Sequence, residues 1–287
     1  MEKYRSLPFA MYDLAVYLPG GVIILVIAKW AIDALLGVDL GLPAGLISND
    51  PKDTIGVAIR AVIWLSASYL VGHLAAFVST YVVEKFVHNN LGYPADVWLK
   101  WERAQPSERS LRAMFAENIA GRSRNAVSML IIVAQLPAIV PLIALSIWKP
   151  LGFYSPKLPT GILDAVSIKY GNIKTGVPLE IGSRWDKIIE HHVANNNELA
   201  YSRMYNYLVI YGALRQLSFI ILMTLWVLIA YDFRMILEGN FVFSLEKMIF
   251  SQSLAFAYVS SAMAFAKFNR RYFEETIMAL ILGQERA

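Results

Sequence analysis

The chain has 287 residues, 57% of them hydrophobic and 17% charged, with a formal net charge of +4. Soluble domains carry about 25% charged residues, so this composition, with a mean hydropathy of +0.47, excludes a single water-soluble core. The absence of cysteine excludes disulfides, thiol chemistry and cysteine-ligated metals.

Several apolar runs reach the ~20 residues that a helix needs to cross a ~30 Å hydrocarbon layer. Lipid offers backbone N–H and C=O groups no partner, so only helices or closed barrels span it. The runs are continuous rather than alternating, which excludes a barrel. The expected class is an all-α membrane protein with four transmembrane helices, and five is the alternative count.

The head, MEKYRSLPFAMYD, is followed by no small-residue cleavage site, so the first apolar run, 14–36, reads as a retained anchor. Pro19 suits a first helical turn. Lys29 and Asp33 stand four residues apart within this run.

The second run, 55–83, contains Arg60 and two stripes. Ser68, Gly72 and Ala76, continued by Ser79 or Thr80, are small residues at helix-packing spacing, which lets another helix approach closely. Ser66, Tyr69, His73, Thr80 and Glu84 form a polar face, with Phe77 filling its gap. Polar groups at membrane depth face protein or water. His73 therefore either fixes register against a neighbouring helix or lines a hydrated path as a protonatable gate.

The segment 84–125 carries Lys85, Lys100, Arg103, Arg109, Arg112, Arg122 and Arg124. Pro106 and Ser107 break it, and 107–124 reads as a basic helix. Arg109, Arg112, Arg122 and Arg124 form the expected basic cytoplasmic surface. Tyr93, Trp98 and Trp101 lie among these cations, as a contact to anionic lipid or as ordinary interfacial anchors. Nucleic acid is not an expected partner.

The third run, 126–148, contains Pro137 and Pro141, which free the carbonyls of Val133 and Pro137. The segment 149–206 opens with KPLGFYSPKLPTG and a strand-like AVSIKY, so a small hairpin is expected. Ser183 and Asp186 give a capping-box pattern ahead of a helix, SRWDKIIEHHVANN. Its adjacent His191 and His192 point about 100° apart and cannot share a metal as an i, i+4 pair could. They read as a solvated face.

The fourth run, 207–231, contains Arg215. A weaker run, 248–266, includes Ser251, Gln252, Ser253, Ser260 and Ser261 and is borderline by hydropathy. It is expected to lie as a helix against the cytoplasmic face, with a fifth span as the alternative.

Lys and Arg accumulate on the cytoplasmic side of short loops. The head and 84–125 are therefore expected inside, in a bacterial inner membrane with a cytoplasmic N-terminus. Loop 37–54, with only Lys52 beside Asp39, Asp50 and Asp53, is expected outside. The organisation is then 1–148 with three spans and the basic loop, 149–206 as an extracytoplasmic insert, 207–231 as the fourth span, and 232–287 as a cytoplasmic helical tail. That arrangement puts Lys29, Asp33, Arg60 and Arg215 in the outer third of the membrane. Asp33 can then pair with Arg60 or Arg215, unless these charges snorkel to the surface.

The sequence contains no H-E-x-x-H, no Walker A loop and no G-x-S-x-G elbow. No enzyme activity, cofactor or metal is expected. No internal repeat is visible, which argues against an inverted-repeat transporter.

The stretches YDLAVYLPGG, SASYLVGHLAAFVSTYVVEK with LGYPADVW, YGALRQLSF and KFNRRYFEET lie in the first hundred residues and the last eighty. Together they resemble a family of poorly characterised bacterial multi-pass inner-membrane proteins, some associated with anti-phage defence. The resemblance implies action at the inner membrane and supplies no catalytic residues. The leading expectation is a homo-oligomeric channel or pore, with a path lined by the polar face of the second span. The alternative is a non-conducting anchor or scaffold that recruits a cytoplasmic protein. The lipid bilayer is the partner common to both.

Overall fold

A computed structural model describes residues 13–37, 54–91, 93–95, 126–139, 141, 160–173, 176–179 and 185–282. Among these residues no strand occurs. A wide π-turn, Asp13–Tyr17, leads into α1, Leu18–Leu36. Helix α2, Thr54–Ser79, continues through a second π-turn, Thr80–Glu84, into α3, Lys85–Leu91. Helix α4, Ala126–Ala134, is followed by a 3-10 turn, Leu136–Ala138. Then come α5, Thr160–Asn172, α6, Trp185–Asn196, α7, Glu198–Leu237, and α8, Leu245–Leu282.

Among the described residues four helical stretches are long and apolar enough to cross a membrane: Leu14–Leu36, Gly56–His88, Glu198–Leu237 and Leu245–Leu282. The architecture is that of an all-α membrane protein. Four is the expected number of spans, here counted among the described residues. The borderline run 248–266 lies inside α8 and is one of the four. Of the residues that lower its hydropathy, Gln252, Ser253 and Ser260 are exposed, Ser253 donates back to the Ile249 carbonyl at 2.8 Å, and Ser261 is buried with its hydroxyl meeting that of Ser218 at 2.8 Å. Of the expected third span, 126–148, the helix stops at Ala134; residues 140 and 142–148 lie outside the described residues.

The chain clusters into two units. The first comprises 1–84, 130–142 and 212–262. Here glycine sets the first helix crossing. A Cβ on Gly21 would overlap the Ser68 carbonyl, and one on Gly72 would overlap that of Tyr17. Helices α1 and α2 therefore touch backbone to backbone, antiparallel, at Ser68 and Gly72, and Ala76 one turn further is also buried. Gly20 stands against the amide of Gln216, whose Nε2 donates to the Gly72 carbonyl at 3.2 Å. Further along, Arg234 Nη1 donates to the Ala34 carbonyl at 2.8 Å. Residue 20 thus lies beside 216, and 34 beside 234, so α1 and α7 run parallel. Helix α8 returns antiparallel, with Ser261 beside Ser218 and Lys247 Nζ 3.8 Å from Asp232.

The second unit comprises 85–129, 143–211 and 263–287. The strand-like AVSIKY is part of α5, which corrects the expected hairpin. Ile162, Val166 and Tyr170 recur every fourth residue and pack on one side, so the helical period overrides the local β propensity. Trp185, Ile189 and Val193 repeat that spacing on α6 and are almost fully buried. They meet Met204 of α7 and Tyr272, Phe273, Ile277 and Leu280 of α8. Each such side chain contributes about 1.5–3 kcal/mol when buried from water. Asn197 breaks α6 from α7 and caps the latter, accepting the Ala200 N–H at 3.0 Å.

Candidate functional site

The polar residues of the second span do not share one environment. Ser66 is exposed, Tyr69 and His73 are half-buried, and Phe77 points outward at 62% exposure. The His73 ring packs on Tyr17 at 3.9 Å between centroids and meets Tyr69 edge-on at 4.4 Å. Tyr17 occupies the turn that opens α1, so His73 stands against the neighbouring helix instead of facing acyl chains alone. Thr80 donates back to the Ala76 carbonyl at 3.1 Å, as does Ser79 at 2.7 Å.

Glu84 accepts a hydrogen bond from Arg215 Nη1 in an ion pair between α7 and the end of the π-turn. The expected partner of Arg215 was Asp33. Asp33 pairs instead with Lys29 on its own helix, at 2.5 Å and i, i+4 spacing. Arg60 is half-buried. The sequence placed Glu84 and Arg215 at opposite membrane faces; the folded chain brings them together.

A second polar cluster was not anticipated. Gln135 is almost fully buried. Its Nε2 donates to the Val82 carbonyl at 2.9 Å, and its Oε1 accepts from the Tyr258 hydroxyl. Val82 lies in the π-turn, where widened backbone spacing leaves carbonyls open to side chains. Prolines were expected to free carbonyls in this run. The 3-10 turn at Leu136–Ala138 leaves Ala134 O to accept the Trp226 indole N–H at 3.0 Å. A lone amide before Leu-Pro in an apolar run was the available signal: such an amide must find partners inside the protein.

In the second unit, His88 Nε2 meets Asn269 at 2.8 Å and its ring lies 4.9 Å from that of Tyr93. Tyr93 also meets Phe273 edge-on at 5.3 Å, so it belongs to the interior of this unit rather than to a free interfacial belt. His191 is exposed, and His192 neighbours Asn196 on its own helix. Trp98, Trp101, Arg109, Arg112, Arg122 and Arg124 lie outside the described residues.

Chemically, these groups make structural contacts. The ion pair, the amide–phenol pair and the serine pair each satisfy polar groups that lipid would leave unsolvated. Among the described residues no three potential metal ligands converge. No family model matches the chain, and no curated protein or solved structure matches it either.

Proposed function

We propose that this protein is a membrane-anchored scaffold with four crossing helices that recruits a protein partner at one membrane face. The observation that carries this reading is the Glu84–Arg215 pair. Glu84 ends the second crossing and Arg215 begins the third. Paired, they occupy one face, so the chain between them leaves and returns on that face. In this reading Gln135, bonded to the Val82 carbonyl, lies on a segment that enters the bundle without crossing it.

Charge supports the same topology. Residues 149–206 carry Lys149, Lys157, Lys169, Lys174, Arg184, Lys187 and Arg203. As an extracytoplasmic insert they oppose the positive-inside bias; on the face of 84–125 they join it. Lys267, Arg270 and Arg271 of α8 satisfy the same bias if they are cytoplasmic. The proposed orientation is a cytoplasmic N-terminus in a bacterial inner membrane, with the cytoplasmic partner meeting the basic segment that contains Arg109 and Arg112.

Within one copy the interior of the first unit is filled by Gly21 on Ser68, Gln216 on Gly72 and Tyr258 on Gln135, which supports a non-conducting role. A pore built from several copies is the alternative, favoured by the half-exposed His73 and Tyr69 that a neighbouring copy would complete. The resemblance to membrane proteins of anti-phage defence fits either role. Reconstitution into sealed liposomes separates them. The scaffold predicts an ion gradient that survives protein insertion. A flux that His73→Ala or Glu84→Ala alters would replace it with the pore.

A further inference from the structure

At the end of the first unit away from Arg215, helices α1, α7 and α8 line an open-sided cavity of about 530 Å³. Arg234 lies 19 residues beyond Arg215 on α7, or about 28 Å at 1.5 Å per residue, which on the proposed topology puts the cavity at the opposite membrane boundary. Trp30, Leu228, Tyr231, Met235 and Phe250 give it an apolar wall. Asp33, Asp232 and Glu238 line it together with Arg234 and Lys247. Its volume lies within the ~300–1,000 Å³ of small-molecule sites, which combine apolar walls with a few placed polar groups.

The charges are arranged in opposite pairs. Lys29 holds Asp33 at 2.5 Å, Lys247 stands 3.8 Å from Asp232, and Arg234 Nε donates to Glu238 at 2.5 Å. Lys247 Nζ also lies 5.3 Å from the centre of the Tyr231 ring, and Trp30 lies 6.5 Å from Tyr231. A simple anion or cation entering this field is repelled by about as much charge as attracts it. A molecule with separated positive and negative groups aligns with both. Carboxylates beside aromatic faces suit an ammonium, and Lys and Arg suit a phosphate. The site opens where helices meet the membrane boundary, with Phe250 and Ile249 exposed beside it, and aromatic residues at that depth are typical of headgroup contacts.

We propose that this cavity binds the headgroup of a zwitterionic phospholipid, with the amine against Asp232 and Tyr231 and the phosphate against Lys247 and Arg234. The bilayer is the source, because the apolar wall continues onto lipid-facing side chains. The inference is independent of the scaffold role: a pore with the same helices would hold the same site.

Native mass spectrometry of the full chain, released from detergent micelles doped with matched lipids, tests it. Phosphatidylethanolamine is expected to be retained about tenfold more than phosphatidylglycerol of the same chains, a difference on the scale of one or two polar contacts. Lys247→Met and Asp232→Asn each reduce that preference to near unity. Ser251→Trp fills the cavity without removing an ion pair and is expected to do the same, which separates loss of the site from loss of folding. Equal retention of the two lipids by the native chain overturns the proposal, as does an undiminished preference in Ser251→Trp. Glycerophosphoethanolamine, the same headgroup without acyl chains, displaces the lipid only at large excess; displacement at equal concentration would make the ligand a soluble zwitterion and overturn the lipid assignment.

Discussion

The two units put their apolar side chains to opposite uses. In the second, Trp185, Ile189, Val193 and Met204 are buried among helices, and among the described residues only Ile168, Leu199, Ile210, Met278 and Leu282 are large hydrophobics left exposed. The first unit exposes many large apolar residues along every crossing helix, Val26, Leu74, Phe77, Ile229 and Phe250 among them, and its interior mixes Phe219, Leu222 and Leu225 with the polar Ser68, Ser79, Gln135, Gln216 and Ser218. One chain thus follows two solvent rules. Where water is outside, apolar area is removed from it. Where lipid is outside, polar atoms and close backbone contacts turn inward.

The comparison can be broken by substitution, and the largest effect belongs to the water-facing core. Trp185→Ala is expected to cost about 3–5 kcal/mol in denaturant unfolding of the chain in micelles. Next is Leu74→Asp, which places a carboxylate about 15 Å along the helix from Glu84, near the middle of the crossing. It should cost about 2.5–3.5 kcal/mol of insertion, read as the membrane-inserted fraction after synthesis. Arg215→Ala leaves Glu84 without its partner. With the pair 13% and 22% exposed, a loss of about 2 kcal/mol is expected, below that of a fully buried pair, and Glu84→Gln in the same chain should recover part of it. Ser218→Ala removes one interhelical hydroxyl pair and should shift stability by about 0.6 kcal/mol. Ile168→Asp is the sharpest contrast: its side chain is 68% exposed against 65% for Leu74, yet the change should stay within about 0.5 kcal/mol, because water is the neighbour.

Much of this was legible in the sequence. Apolar length gave the helical class. The four-residue spacing of Ser68, Gly72 and Ala76 pointed to a close helix contact, because only small side chains at that period let backbones touch. Ionic partners were less legible. Asp33, Arg60 and Arg215 can be assigned to one another only after a topology is chosen, and the folded chain sets Arg215 on Glu84. Averaged hydropathy also understated α8, since a serine paired with a serine costs far less in lipid than a serine alone. AVSIKY misled because alternation over six residues outweighed the period that Ile162, Val166 and Tyr170 set over nine. The Gln135 cluster had almost no signature: one amide in an apolar run names its need for partners without naming them.

The account turns on the chain leaving and returning on one membrane face between Glu84 and Arg215. The chain has no cysteine, so single cysteines report position without background. His191→Cys and Asn240→Cys, both at exposed positions, should react with a membrane-impermeant maleimide from opposite sides of sealed inverted and right-side-out vesicles. His191→Cys should label from the same side as a cysteine in the N-terminal head. Labelling of His191→Cys from the side opposite the N-terminal head would contradict the account.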